Sequence, residues 1–352
     1  MEEVFNRMVA QHTEHRFYFL FDRPLPLSLT LPPGVTPLVV GPPARHPLLW
    51  KYWYDVALPR ALKKIGAHVL VSPDGLASLT AKVPQCLVVQ GFPFLHFAEG
   101  YPKSHLRFYQ FFTLRFLKKA KSIATLSQFL KAEMVQQYAI PPEKISVMYS
   151  AAKSVYKPLP WADHEGVKEA YTEGKEYFIY TGTIHPRKNL LNLLKAFSKF
   201  KKWQRSGFKL VLAGPLHWKG DAFLELLKTY KYRGDVVLLN EVDEEELARL
   251  LGAAYALVYP TFYEGFGTPV LHAIQCEVPV LTSADSAMQQ IAGDAALYFN
   301  PHDVDSMAQQ LMTIYKDEDK RSRLVEKGKE VVGRYSWQKT ADALWQSIQA
   351  AA

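Results

Sequence analysis

Apolar residues in this chain come in two alternating spacings. Short unbroken runs, RFYFLF (16–21), AHVLVS (67–72), QCLVVQ (85–90), SIATLS (122–127) and ISVMYS (145–150), have the length and content of buried strands. Between them, 48–65 and 106–120 repeat apolar residues every three to four positions, which predicts helices. A further helix is predicted at 3–11. Strand and helix in alternation predict a parallel sheet covered on both faces.

The pattern pauses over 151–175, a stretch with two glycines, two prolines and no clear strand. It then resumes with EYFIYTG (176–182), FKLVLAG (208–214), DVVLLN (235–240), YALVYP (255–260), VPVLTS (278–283) and AALYF (295–299). The expected organisation is therefore two doubly wound α/β domains, 1–155 and 176–334, joined by a linker at 156–175. A last helix follows RYS, within 335–352. A doubly wound domain usually opens on a strand and a tight loop, whereas this chain opens on a helix. The first strand of the N-terminal domain is expected to be missing, as in a gene fragment whose start lies upstream.

Composition narrows the picture. The 352 residues are 48% hydrophobic and 22% charged, ample for two cores and against disorder. The net charge of +8 suits anionic partners such as nucleotide phosphates, acidic lipid or nucleic acid, without choosing among them. No zinc-finger spacing or RNA-binding motif supports nucleic acid. Cys86 and Cys276 have no metal-type neighbours and are expected to be buried free thiols in a reducing compartment. No apolar stretch is long enough to span a bilayer, and MEEVFNRMVAQ lacks the basic start and apolar core of a signal peptide. A cytoplasmic protein is expected.

Candidate chemistry concentrates in YALVYPTFYEGFGTPVLHAIQCEVPVLTS (255–283). A strand ends at Pro260. The loop then carries the carboxylate of Glu264 beside Gly265, Phe266 and Gly267. Thr268 is the expected N-cap and Pro269 the first helical residue. Such a helix start, at the end of a strand, suits a phosphate, and the glycines let backbone approach a ligand closely. Glu264 can accept hydrogen bonds from sugar hydroxyls. The same sequence also fits an ordinary strand–loop–helix unit that binds nothing. A second segment, EYFIYTGTIHPRKNLLNLLKAF (176–197), turns at Gly182 and presents Arg187 and Lys188 at a helix start. The apolar stripe of that helix is expected to be Leu190, Leu191, Leu194 and Phe197. Two cations there oppose the helix dipole, a conflict that a bound diphosphate would remove. Gly214 ends another strand at the same sheet edge, where ligands of open parallel sheets collect.

Taken in order, TGTIHPRKN (181–189), LVLAG (210–214), EEELARLLGAAYALVYPTFYEGFGTPVL (244–271), CEVPVLTS (276–283), AGDAALYFNP (292–301) and YSWQKTADALW (335–345) resemble family 4 (group 1) glycosyltransferases of the GT-B fold. The likeness is close over 176–349 and looser over 16–160. It implies two Rossmann-like domains facing a cleft, the nucleotide-sugar donor lying on the C-terminal one, and the last helix crossing back to the N-terminal one. Carried onto this chain, Lys188 would neutralise the donor diphosphate, with Arg187 a weaker partner. Glu264 would contact the sugar, and the backbone of Gly265, Phe266, Gly267 and Thr268 would hold phosphate. Asn240 to Val242 would border the base, with Gly182 and Gly214 completing the edge. The implied reaction is glycosyl transfer with retention, from a nucleoside-diphosphate sugar, without an obligatory metal or other cofactor. The implied catalytic residues are Lys188 and Glu264. The acceptor would be a glycan or lipid-linked precursor of a cell-surface polysaccharide.

Three positions depart from the family pattern. His272 stands where a second glutamate often holds the ribose, Gln290 replaces a further acidic residue, and Gln90-Gly91 replaces a His-Asp pair, with His96 nearby. These departures, with the helical start, leave open a second reading: an impaired or truncated GT-B protein that binds a nucleotide or scaffolds a partner. Residues 101–132 contain no acidic residue but seven cations interleaved with aromatics. That segment fits either a core helix with its cations in water or a peripheral contact with an anionic membrane at the inner face.

Overall fold

The computed structural model describes residues 1–25, 30–216 and 221–352. The chain divides into two compact units, one formed by 1–150 with 336–352 and the other by 151–335.

In the first unit, β3 (Leu70–Ser72), β4 (Gln85–Val89), β5 (Ser122–Thr125) and β6 (Ile145–Val147) form a parallel sheet in sequence order. Before them, β1 (Phe17–Phe21) pairs in parallel with β2 (Val35–Val39). Side chains alternate across a strand, so β4 feeds two cores. Cys86 and Val88 pack with Ala124, the N-terminal helix through Val4 and Met8, and the C-terminal helix through Leu344 and Ile348. Leu87 and Val89 point the other way, to Phe108, Phe116, Leu117 and Met134. The C-terminal helix Trp337–Ala351 starts where Ser336 accepts a hydrogen bond from Lys339 N. It is fixed to the sheet by Ser122 Oγ donating to Ser347 O (2.6 Å) and Thr340 Oγ1 to Tyr149 O (2.6 Å).

The second unit holds a six-stranded parallel sheet: β7 (Tyr177–Thr181), β8 (Lys209–Ala213), β9 (Val236–Leu239), β10 (Ala256–Tyr259), β11 (Val280–Ser283) and β12 (Ala296–Phe299). Their order is β12-β11-β10-β7-β8-β9. The chain winds outward from β7 through β8 and β9, then returns to the other side of β7 and winds outward again. The strand order therefore reverses at β7, and the crevice beyond the carboxyl ends there is where such sheets bind ligands. Every residue of β7, β8, β10 and β11 is buried, as expected for strands covered on both faces. Both cysteines are free and buried.

Sequence periodicity missed β2 and a helix inside the segment read as linker. β2 reads VTPLV, largely exposed and interrupted by Pro37, so neither alternation nor a buried run marks it. The segment read as linker contains a helix, Trp161–Thr172, which belongs to the second unit and buries only Val167, Lys168 and Thr172. With so narrow a buried face, it gives almost no apolar signal. One stripe was also misassigned: Leu191 is exposed, and the helix Leu190–Gln204 buries Leu193 instead, with Leu190, Leu194, Phe197 and Phe200.

Candidate functional site

The carboxyl ends of β7 and β8 are made by two glycines that touch. Gly182 has φ +128° and Gly214 φ +146°, and a Cβ on Gly214 would lie 2.3 Å from Gly182 O. Only glycine permits both the dihedral and the approach. Gly182 N donates to Ala213 O (2.9 Å) and Gly214 N to Leu239 O (2.8 Å), which keeps the three strand ends β7, β8 and β9 level. Against them opens a cavity of about 520 Å³ lined by Gly182, Ala213, Gly214, Pro215, Asn240 to Asp243, and Leu247. Gly182, Gly214 and Val242, far apart in sequence, thus share one wall.

After β7, Arg187 and Lys188 lie in a single 3-10 turn, Pro186–Lys188, rather than on the following helix. His185 starts that turn by accepting from Arg187 N through Nδ1 (3.0 Å). Asn189, with φ +63°, then reverses the backbone, and its amide donates to Pro260 O (3.0 Å) and Pro301 O (2.7 Å). Those bonds pull the turn against the loop after β10. Lys188 is buried there. Its Nζ donates to Tyr259 Oη (2.7 Å) and to Glu264 Oε1 (2.5 Å). Arg187 Nη1 donates to the same carboxylate oxygen (2.6 Å) and to Tyr263 O (2.6 Å). Thr261 Oγ1 stands 3.2 Å from Glu264 Oε1. The two cations expected to wait for a diphosphate are held by Glu264, which removes their conflict within the protein itself. Burial pushes the Lys188 ammonium below its usual range, and the negative charge of Glu264 works against that push.

Sequence reasoning did not identify the tyrosines behind this cluster. Tyr180 and Tyr259 stack at 5.9 Å, and the Lys188 ammonium sits 5.0 Å over the Tyr259 ring. Both rings are fully buried, and burial raises both phenols well above their ordinary range. Their polar ends at the strand tips were the available signal. Tyr180 Oη donates to Thr183 O (2.9 Å), and a Cβ on Gly182 would lie 3.2 Å from Tyr180 Oη. The tyrosine pair therefore connects the cavity wall to the Lys188 cluster.

The loop after β10 corrects one expectation. Gly267, not Thr268, is the N-cap of the helix Thr268–Gln275, with φ +92°. A Cβ there would lie 2.5 Å from Met288 Cγ, so the close approach is to a helix packed behind the loop. Pro269 falls in the first turn, where no N–H is needed. Gly265 and Phe266 are buried beside it, and Phe266 meets Tyr335 edge-on (6.0 Å). His272 lies one turn further along and stacks on Tyr156 (3.6 Å, 12°). Its Nε2 is buried with no hydrogen-bond partner, and the ring is pushed down to about pKa 3, first by burial and then by the charge of Lys153. Gln275 Nε2 ties the same segment by donating to Tyr156 O (2.5 Å) and Lys153 O (3.0 Å). Gln290 is exposed on the helix Ala287–Ala292.

In the first unit, Gln90 Nε2 donates to Pro73 O (2.9 Å). Beside it the exposed Asp74 accepts from Tyr54 Oη (2.7 Å) and Ser72 Oγ (2.8 Å). His96 pairs through Nε2 with the buried Glu133.

Comparison with known proteins agrees with this geometry. The fold is that of GT-B glycosyltransferases. The chain superposes on the crystal structure of WaaG, a glycosyltransferase involved in lipopolysaccharide biosynthesis, with TM-score 0.79 at 16% identity, covering 99% of this chain and 94% of that one. Against Anabaena HepE in complex with UDP and glucose the TM-score is 0.76 at 14% identity, covering 99% and 95%. The family model for glycosyl transferases group 1 matches 164–331, and that for glycosyltransferase family 4 matches 2–152. The chain belongs to the family 4, group 1 glycosyltransferases. Among curated relatives it is 32% identical over 241 residues to the O-antigen chain mannosyltransferase B of Escherichia coli. That match covers 68% of this chain and 63% of the relative, so the chain spans less than two thirds of that protein's length.

Proposed function

We propose that this chain is a retaining glycosyltransferase that moves a hexosyl group from a nucleoside-diphosphate sugar to a glycan or lipid-linked acceptor in cell-surface polysaccharide synthesis. One observation carries the reading: Arg187 and Lys188 converge on Glu264 at the sheet edge where the strand order reverses, with a cavity of about 520 Å³ along the same edge. Breaking the sugar–phosphate bond leaves negative charge on the diphosphate. Lys188, already fixed by Tyr259 and desolvated, is preorganised to meet that charge as it develops, with Arg187 beside it. Glu264 would then exchange cations for sugar hydroxyls. The backbone of Gly265, Phe266, Gly267 and Thr268 would hold phosphate at the helix start. Gly182, Gly214 and Val242 would border the base and ribose.

His272 enters this reading through Nε2, which has no hydrogen-bond partner among the described residues. That atom is sealed from solvent with its ring stacked on Tyr156, so a ribose hydroxyl would reach it only as Tyr156 moved aside, and would then satisfy a buried polar atom whose isolation costs about 1–3 kcal/mol. Two buried free thiols support a cytoplasmic location. The mannosyltransferase relative and the lipopolysaccharide enzyme of like fold support the polysaccharide assignment. The assembled charge cluster supports catalysis over a purely scaffolding role.

The test is a thermal-shift panel with UDP, GDP, dTDP and CMP on wild type and Lys188→Ala. A nucleotide at about 100 times its Kd adds roughly 2.7 kcal/mol, a rise of about 5–11 °C for a unit of this size. A shift with one nucleotide that disappears in Lys188→Ala is expected. No shift with any of them would overturn the donor site.

A further inference from the structure

The helix Lys103–Lys119 divides its residues by face. Phe108, Thr113, Phe116 and Leu117 are buried against the first unit's sheet. The opposite face exposes Lys103, Arg107, Phe111, Arg115 and Lys118, with Lys119 at its margin and Lys121 just beyond. Part of the sequence pattern is thus an ordinary core helix, but the outer face is not merely cations in water. Phe111 is 57% exposed, and the Arg115 guanidinium lies 3.6 Å over its ring. At the helix end, the Lys144 ammonium donates to Leu117 O (2.8 Å) and Lys118 O (3.0 Å), adding a further cation beside Lys118, Lys119 and Lys121. Those last carbonyls attract cations, so the basic end agrees with the helix dipole.

A second helix, Pro47–Tyr52, packs alongside. Trp50 meets His105 (5.0 Å) and Phe108 (5.4 Å) edge-on, and the Lys51 ammonium lies 5.0 Å over Phe112. This neighbour leaves Leu48 76% exposed, with Leu49 and Tyr52 also in solvent. Large apolar side chains exposed on both helices, set among cations with no carboxylate from 101 to 132 and with Lys51 of the neighbour paired to Asp55, form an amphipathic surface rather than a solubilising one.

We infer that this face docks the protein on an anionic lipid surface, independently of the donor chemistry. The charge calls for phosphate-bearing partners, and the exposed apolar side chains select among them. Phe111 and Leu48 gain by entering the boundary between headgroups and acyl chains. A nucleic acid offers no such phase, and one face of Phe111, which a base would stack on, is already covered by Arg115.

The experiment is co-sedimentation of the full chain with vesicles of phosphatidylglycerol mixed into phosphatidylcholine, and with phosphatidylcholine alone. Wild type should pellet with the anionic vesicles, be released by salt, and remain in solution with the zwitterionic ones. Lys118→Gln with Lys119→Gln should weaken partition about 30-fold, equivalent to about 1 kcal/mol per cation. Phe111→Ser should weaken it several-fold while leaving the salt dependence unchanged. All three substitutions are at exposed positions, so an unchanged thermal midpoint checks folding. No binding to the anionic vesicles, equal binding by wild type and variants, or preferential binding of a single-stranded oligonucleotide would each overturn the proposal.

Discussion

Replacing His272 by phenylalanine should make the protein less sensitive to acid, by an amount fixed by where the ring sits. The imidazole is stacked on Tyr156, with Nε2 sealed from solvent, and titrates near 3 instead of 6.5. The unfolded chain therefore takes up a proton below about pH 6.5 that the folded chain refuses until about pH 3. Stability falls with pH throughout that window, because the unfolded state binds more protons. Two pH units below 6.5, at 1.36 kcal/mol each, the difference is about 2.7 kcal/mol. Phenylalanine keeps a ring for Tyr156 and has nothing to protonate. Urea unfolding followed by circular dichroism, at about pH 7.5 and about pH 4.5, isolates the effect, since all other titrations are common to both proteins. With a slope of about 2 kcal/mol/M, the variant's midpoint should gain about 1 M on wild type between the two conditions. Parallel loss of stability in the two proteins would refute the reasoning: His272 would then accept its proton in the folded state, and the ring would not be shielded.

Gly214→Ala should destabilise the second unit by about 3 kcal/mol or more and abolish any nucleotide-dependent thermal shift. Its Cβ would meet Gly182 O at 2.3 Å in a backbone conformation closed to alanine. A loss under about 1 kcal/mol in urea unfolding would mean that the two strand ends separate easily. Glu264→Gln keeps the shape of the loop but leaves Lys188 and Arg187 facing a neutral amide. A cost of about 3 kcal/mol is expected near neutral pH, as for a buried pair robbed of one partner. Without Glu264 the Lys188 pKa falls further below 10.5, so the unfolded state binds the extra proton and stability rises with pH. The variant's deficit should therefore shrink in urea unfolding as pH approaches 10, and a deficit independent of pH would show that Lys188 does not need the carboxylate.

Much of the second unit was legible before any coordinates. Its six strands were read to within a residue or two, because runs such as FIYT and LVLA are buried on both faces. Gly182 and Gly214 were readable for the same local reason: a strand that must stop and turn at a ligand edge ends on a residue without a Cβ. The first unit was harder. There β2 carries Pro37 and faces solvent; in the second unit, the helix Trp161–Thr172 buries so little that its periodicity is faint. Thr268 and Gly267 show the limit of local rules. Threonine has the better capping side chain, but Met288, packed behind the loop, admits only glycine at the reversal.

What the sequence determined by itself was period and punctuation: which segments are strands or helices, where glycine breaks them, and which residue types stand at the breaks. These are properties of neighbours along the chain, set by backbone sterics and by the side of an element that must leave water. Tertiary structure alone decided the pairings. Arg187 and Lys188 read as cations waiting for an anion, but Glu264, 77 and 76 residues away, already meets both. His272 read as a substitute for a carboxylate, yet burial, with the charge of Lys153 nearby, makes it a neutral ring stacked on Tyr156. The phenylalanines of the basic helix looked alike in sequence, and only packing against the sheet buried Phe108 and Phe116 while leaving Phe111 outside. Charge and burial depend on what approaches through space, and that is settled only when the sheet has brought distant loops to one edge.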